Sequence, residues 1–92
     1  MATVIIPTPL RKFTGNTSKV EVEGNNVLQV LQALIIRFPE LKKHLFDTEE
    51  KMRPFINIFV GDKDIRSLNR QDTVVAENAV ISIVPAIAGG AL

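Results

Sequence analysis

Gly89 and Gly90 lie near the end of the run Pro85-Ala86-Ile87-Ala88-Gly89-Gly90-Ala91-Leu92, which follows directly on an apolar, strand-like segment. Two successive residues without a Cβ make the thinnest and most pliable backbone a chain can present. Such a tail can enter an opening too narrow for side chains and offer its own end as a reacting group. The bland alternative is a frayed, glycine-rich terminus with no role. Other reactive groups are scarce. The 92 residues contain no cysteine, which excludes thiolate nucleophiles, thiolate metal sites and disulfides. His44 is the single histidine, sits beside Lys42 and Lys43, and reads as a solvated surface residue. The carboxylates of Glu49 and Glu50, and of Asp62 and Asp64, fall in loop-like sequence. Acid–base work needs an enclosed site that drives two carboxyl groups apart in pKa, and nothing near them suggests one. No helix follows Gly89-Gly90, so the pair does not form a phosphate-binding loop. The chain is expected to be neither an enzyme in its own right nor a holder of metal or cofactor.

The elements that must position this tail can be read from periodicity. Thr3 to Ile6 is β-branched and apolar and is stopped by Pro7 and Pro9, as a strand would be. Arg11 to Ser18 carries turn chemistry in Thr14-Gly15-Asn16, and Ile65 to Leu68 has the make-up of a brief edge strand. Lys19-Val20-Glu21-Val22-Glu23 alternates strictly, with valines on one face and charges on the other, and makes a hairpin partner for the first strand. From Val27 the period changes to that of a helix, with Val27, Leu28, Val30, Leu31, Leu34, Ile35 and Phe38 on one stripe. An asparagine at Asn25 or Asn26 supplies the cap and Pro39 the stop. A second short helix over 40–46 would pack Leu41, Leu45 and Phe46, and 47–53 reads as a polar loop. Phe55 to Val60 is a strand apolar on both faces, hence interior; Gln71 to Asn78 is a turn-rich crossing, and Ala79 to Val84 is the last strand. A lone amphipathic helix can bury its stripe only against the sheet. The fold class is α+β: a ubiquitin-like β-grasp, with a mixed sheet of four to five strands, one main helix, a short second helix and a C-terminal tail. Residues 1–85 make the domain and 86–92 the extended tail.

Eleven basic against ten acidic residues leave a net charge of +1, which argues against nucleic acid as a partner. Residues 1–6 lack a charged signal-like start, and Ser82 and Pro85 break the longest apolar run. A cytoplasmic protein without a membrane span is expected.

The chain resembles the ubiquitin-like sulfur carriers. The likeness rests on Ile6-Pro7-Thr8-Pro9-Leu10-Arg11 followed by Thr14-Gly15, on Phe55-Ile56-Asn57-Ile58-Phe59-Val60 and Asp64-Ile65-Arg66, and above all on Ile83-Val84-Pro85-Ala86-Ile87-Ala88-Gly89-Gly90. That family includes the small subunit of molybdopterin synthase and the carrier used to make cysteine in some bacteria; Pro-Thr-Pro-Leu-Arg leans toward the latter. The resemblance implies that an ATP-dependent, E1-like enzyme adenylates the carboxylate of Gly90. Sulfur then displaces AMP to leave a thiocarboxylate. Gly89, Ala88 and Ile87 would thread the partner's channel. From Pro85 to Gly90 the six residues reach about 20 Å when extended. Ile5, Phe59, Val84 and Pro85 would form the partner-binding surface on the sheet face away from the helix, the alternative being core or isolated surface hydrophobics.

The chain departs from the family pattern in one respect: Ala91 and Leu92 follow Gly90. A zinc metalloprotease of the kind that accompanies cysteine-type carriers is expected to cut between Gly90 and Ala91. The implied sulfur acceptor is a pyridoxal-phosphate-dependent cysteine synthase or, alternatively, the catalytic subunit of molybdopterin synthase. A third reading is a ubiquitin-like modifier attached through Gly90 to lysines of other proteins, and a fourth is a passive binding module.

Overall fold

The computed structural model describes residues 1–49, 51–53 and 56–85. Its strands are β1 (Ala2–Ile5), β2 (Lys19–Val22), β3 (Ile56–Val60), β4 (Lys63–Asp64) and β5 (Val80–Pro85), and its α-helices are α1 (Val27–Arg37) and α2 (Lys42–Leu45). The strands form one sheet in the order β2-β1-β5-β3-β4. β1 pairs antiparallel with β2 and parallel with β5, while β3 pairs antiparallel with both β5 and β4. This is the mixed β-grasp sheet that the order of elements requires. The strand leading to the diglycine is thereby placed in the centre, held on both edges.

Alternation decides which residues face the helix. Val4 and Ile6 on the first strand and its exit, Val20 and Val22 on β2, Ile56 and Ile58 on β3, and Ile81 and Ile83 on β5 are all buried. They meet Val27, Val30, Leu31 and Leu34 of α1, with Leu41, Leu45 and Phe46 closing the end of the core. The side chain of Asn26 caps α1 by accepting from the Gln29 N–H at 2.8 Å. The Gln29 side chain reaches back and accepts from the N–H of Asn25, the residue before the cap, at 2.8 Å, which ties the entering chain to the first turn. Gly24 is forced by a close approach: a Cβ there would lie 2.7 Å from the Val30 nitrogen. The helix ends at Arg37, before Pro39, and Pro39–Leu41 makes a 3-10 turn leading into α2.

Three expectations are corrected. Residues 65–68 are not a strand: the edge strand is Lys63–Asp64, and Ile65–Ser67 is a 3-10 turn. The cause is local, since the Asp64 carboxylate accepts from the Arg66 N–H at 2.9 Å and turns the chain. The stretch 11–18 is not turn throughout; Thr8–Phe13 is a 3-10 helix that begins on prolines, and the left-handed pair Gly15 and Asn16 closes it. His44 is not a plain surface residue. Its ring stacks on Phe13 at 4.4 Å between centroids, and its Nε2 is sealed from solvent without a hydrogen-bond partner. Phe55 lies outside the described residues.

Candidate functional site

Pairing fixes what the sheet presents on the face away from α1. Residues directly opposite across a ladder point to the same side, and residues two apart on one strand do so as well. Ser82 of β5 is paired with Ile5 of β1 and with Phe59 of β3. Strands lie about 4.8 Å apart, which puts Ile5 and Phe59 about 10 Å from each other with the small Ser82 between them. Val80 and Val84 lie along β5 on either side of Ser82 and are each 43% exposed. The five residues make an apolar cross with a shallow centre. Pro85, the last residue of β5, pairs with the buried Ile56 and so lies on the opposite, helix-side face.

Of the sequence-derived partner surface, Ile5, Phe59 and Val84 therefore share one face, whereas Pro85, expected with them, falls on the other face because it follows Val84 by one residue on β5. Ile5, Phe59 and Pro85 are half-buried. Ile87, Ala88, Gly89, Gly90 and Ala91 lie outside the described residues. Sequence reasoning missed Val80 and Ser82, although the alternation Val80-Ile81-Ser82-Ile83-Val84 carried them: once Ile81 and Ile83 belong to the core, their neighbours must face outward. It also missed the polar frame. Asn57 is paired with Val84. The Arg66 guanidinium reaches Asn57 Oδ1 and donates to the Ile56 carbonyl at 3.3 Å, covering an edge of β3 that β4 is too short to pair. On the other side Lys19 is paired with Ile5 and Glu21 with Thr3.

The remaining candidate groups do not converge. Among the described residues, no group of three or more His, Cys, Asp or Glu is placed to hold a metal ion. The Asp47 carboxylate accepts from the backbone N–H of Lys51 at 3.0 Å and of Glu49 at 2.8 Å. These bonds, that of Lys51 foremost, hold it below the usual carboxylate range. It serves as loop scaffolding. Desolvation lowers the pKa of His44, and the charges of Lys43, Lys12 and Arg53 lower it further. A hollow of about 550 Å³ between Pro39, Lys43, Phe46 and Arg53 also has Glu40 and Asp47 on its wall, and Asp47 is tied to the loop backbone. No helix among the described residues is long and apolar enough to cross a membrane. A partly exposed apolar face beside the last strand is what this surface presents.

Comparison with known proteins agrees with this geometry. The model of the ThiS family matches residues 4–90. The sulfur carrier protein CysO of Mycobacterium tuberculosis is 34% identical over 90 residues, covering 96% of this chain and 97% of its own. A chain in the crystal structure of the Amycolatopsis orientalis BexX/CysO complex superposes with a TM-score of 0.89 at 37% identity, covering 98% of this chain and 100% of that one. The solution structure of small archaeal modifier protein 1 from Methanosarcina acetivorans superposes with a TM-score of 0.88 at 27% identity, covering 97% and 95%. With a family match from the first strand through the diglycine, and a relative 34% identical over nearly its whole length, the chain belongs to the ThiS family of β-grasp sulfur carriers.

Proposed function

We propose that this protein donates sulfur from a thiocarboxylate formed on Gly90, once Ala91 and Leu92 have been removed. The observation that carries this reading is the end-to-end likeness to CysO-type carriers, which extends through the tail. A carboxylate resists nucleophiles because it is already anionic and has no leaving group. An ATP-dependent partner supplies one by transferring AMP to the carboxylate oxygen and releasing pyrophosphate. Sulfide then adds to the carbonyl and expels AMP, leaving an acyl-bound sulfur that is ionised near neutral pH and nucleophilic. The chain's own residues bind and aim: the apolar cross holds the partner, Pro85 directs the chain out of the sheet, and Gly89-Gly90 pass the narrowest point. The lack of any cysteine fits this division of labour, since the carried sulfur then sits on the chain end.

The favoured acceptor is an activated serine on a pyridoxal-phosphate-dependent cysteine synthase, and the favoured trimming enzyme is a zinc hydrolase that cuts after the diglycine. A hydrolase that frees cysteine from the diglycine would find Ala91 in the same place. The likeness to a small archaeal modifier supports a second reading, in which the same activated Gly90 is joined to lysines of other proteins. The two separate on products. Thiocarboxylated chain supplied with synthase and activated serine is expected to lose its sulfur as cysteine forms. A ladder of lysine-linked conjugates in cells, with no cysteine formed, would instead establish the modifier.

A further inference from the structure

The docking face has a hidden symmetry. Place Ser82 at the origin and turn the face by half a revolution about its normal. Ile5 falls on Phe59, Val80 falls on Val84, and the polar pair Thr3 and Asn57 exchange, as the ladder pairings require. In shape and hydrophobicity the two orientations are nearly equivalent. Apolar burial is non-directional and cannot tell them apart. Yet one points the tail into the partner's reactive site and the other points it away.

Charge breaks the tie. The same half-turn places Lys19, at the β2 end of the Ser82 row, on Asp64, at the β4 end. It places Glu21, beside Thr3, on the region beyond Asn57 that the Arg66 guanidinium occupies. Each cation falls on an anion. The face is symmetric in its apolar centre and antisymmetric in these four charges.

Resting on the sulfur-carrier reading, we propose that Lys19, Glu21, Asp64 and Arg66 select the docking orientation, and that the adenylating partner presents a complementary frame. Acidic side chains of the partner meet Lys19 and Arg66, and basic ones meet Asp64 and Glu21. Correct docking makes four attractive contacts; reversed docking makes four like-charge contacts, which together cost far more than any one attraction gains. Lys19 and Glu21 are exposed on the sheet's edge strand, where exchanging side chains leaves the core untouched.

The test is the double exchange Lys19→Glu with Glu21→Lys, which keeps the net charge at +1 and so removes any effect of overall charge. Binding of the trimmed chain to the adenylating enzyme of the same cell, and its adenylation with ATP, are measured separately. The exchanged chain is expected to keep its thermal midpoint, to bind at least about tenfold more weakly, and to lose about half of its kcat, because the productive and reversed orientations are then equally favoured. Salt gives a second signature. Added salt weakens binding of the natural chain and changes that of the exchanged chain little, because two repulsive contacts then offset the two attractive ones. Equal affinity and equal salt response in the two chains would overturn the charge frame alone. A natural chain that binds, with the expected difference, but is never adenylated would overturn the sulfur-carrier reading and leave the frame supported. A natural chain that does not bind at all would overturn both.

Discussion

At the scale of the residue, burial separates groups that hold the fold from groups on the face proposed to meet a partner. Ile58 is 1% exposed, and Ile58→Ala is expected to cost about 2–5 kcal/mol in chemical denaturation, through lost burial and the cavity left behind. Phe59, the next residue, faces the other way. Phe59→Asp and Ile5→Asp are expected to raise the KM for adenylation at least about tenfold while the chain still unfolds cooperatively; an unchanged KM would remove the cross from the docking surface. His44 makes a different kind of prediction. Burial of its Nε2 and the nearby cations hold its folded pKa below the ordinary 6.5, so the unfolded chain takes up a proton first as pH falls. Its contribution is present above about pH 6.5 and is lost as pH drops through that value toward the lowered folded pKa. The thermal midpoint should fall between pH 7.5 and 5.5, and His44→Phe, which keeps the stacking on Phe13, should flatten that slope. Equal slopes in both chains would show that His44 is not the group responsible.

At the scale of the element, the helix and the strands were legible because each rests on a local, periodic signal. The stripe from Val27 to Phe38, the cap at Asn26 and the stop at Pro39 all act within a few residues of one another. Asn26→Ala is expected to cost about 1 kcal/mol, read from the denaturation midpoint, as a lost cap does. Gly24 was not legible as a constraint. Its requirement comes from Val30 crossing overhead, a contact that exists only after β2 and α1 have docked. Gly24→Ala is expected to destabilise by about 1–3 kcal/mol, and a neutral result would mean that the β2–α1 joint yields easily. The misplaced edge strand has a similar cause. Ile65 looks like a strand residue, but the Asp64 side chain captures the next turn's N–H, and that competition is invisible to apolar periodicity.

At the scale of the whole molecule, sheet order is what makes a docking face out of scattered residues. Ile5, Phe59 and Val84 were expected together on the sheet face away from the helix once the β-grasp order of elements was read. Their meeting around Ser82 depends on β5 lying between β1 and β3, a long-range arrangement that no local pattern encodes. The charge frame was less legible still, because Lys19 and Asp64 are distant in sequence and related only through three intervening strands. One apolar cross also means one partner at a time. ATP-free adenylating enzyme, added to thiocarboxylated chain, is therefore expected to inhibit sulfur transfer to the acceptor competitively. Inhibition that persists at saturating acceptor would indicate separate docking sites.

All of this depends on the carboxylate of Gly90 being where sulfur is loaded. Chain ending at Gly90, chain extended by Ala91 and Leu92, and chain ending at Gly90 but incubated without ATP are each given the adenylating enzyme and sulfide, then weighed intact. Only the first is expected to exchange one oxygen for sulfur, with the change confined to the C-terminal peptide. Sulfur gained equally by the extended chain, or no gain in the trimmed chain with ATP present, would contradict the account.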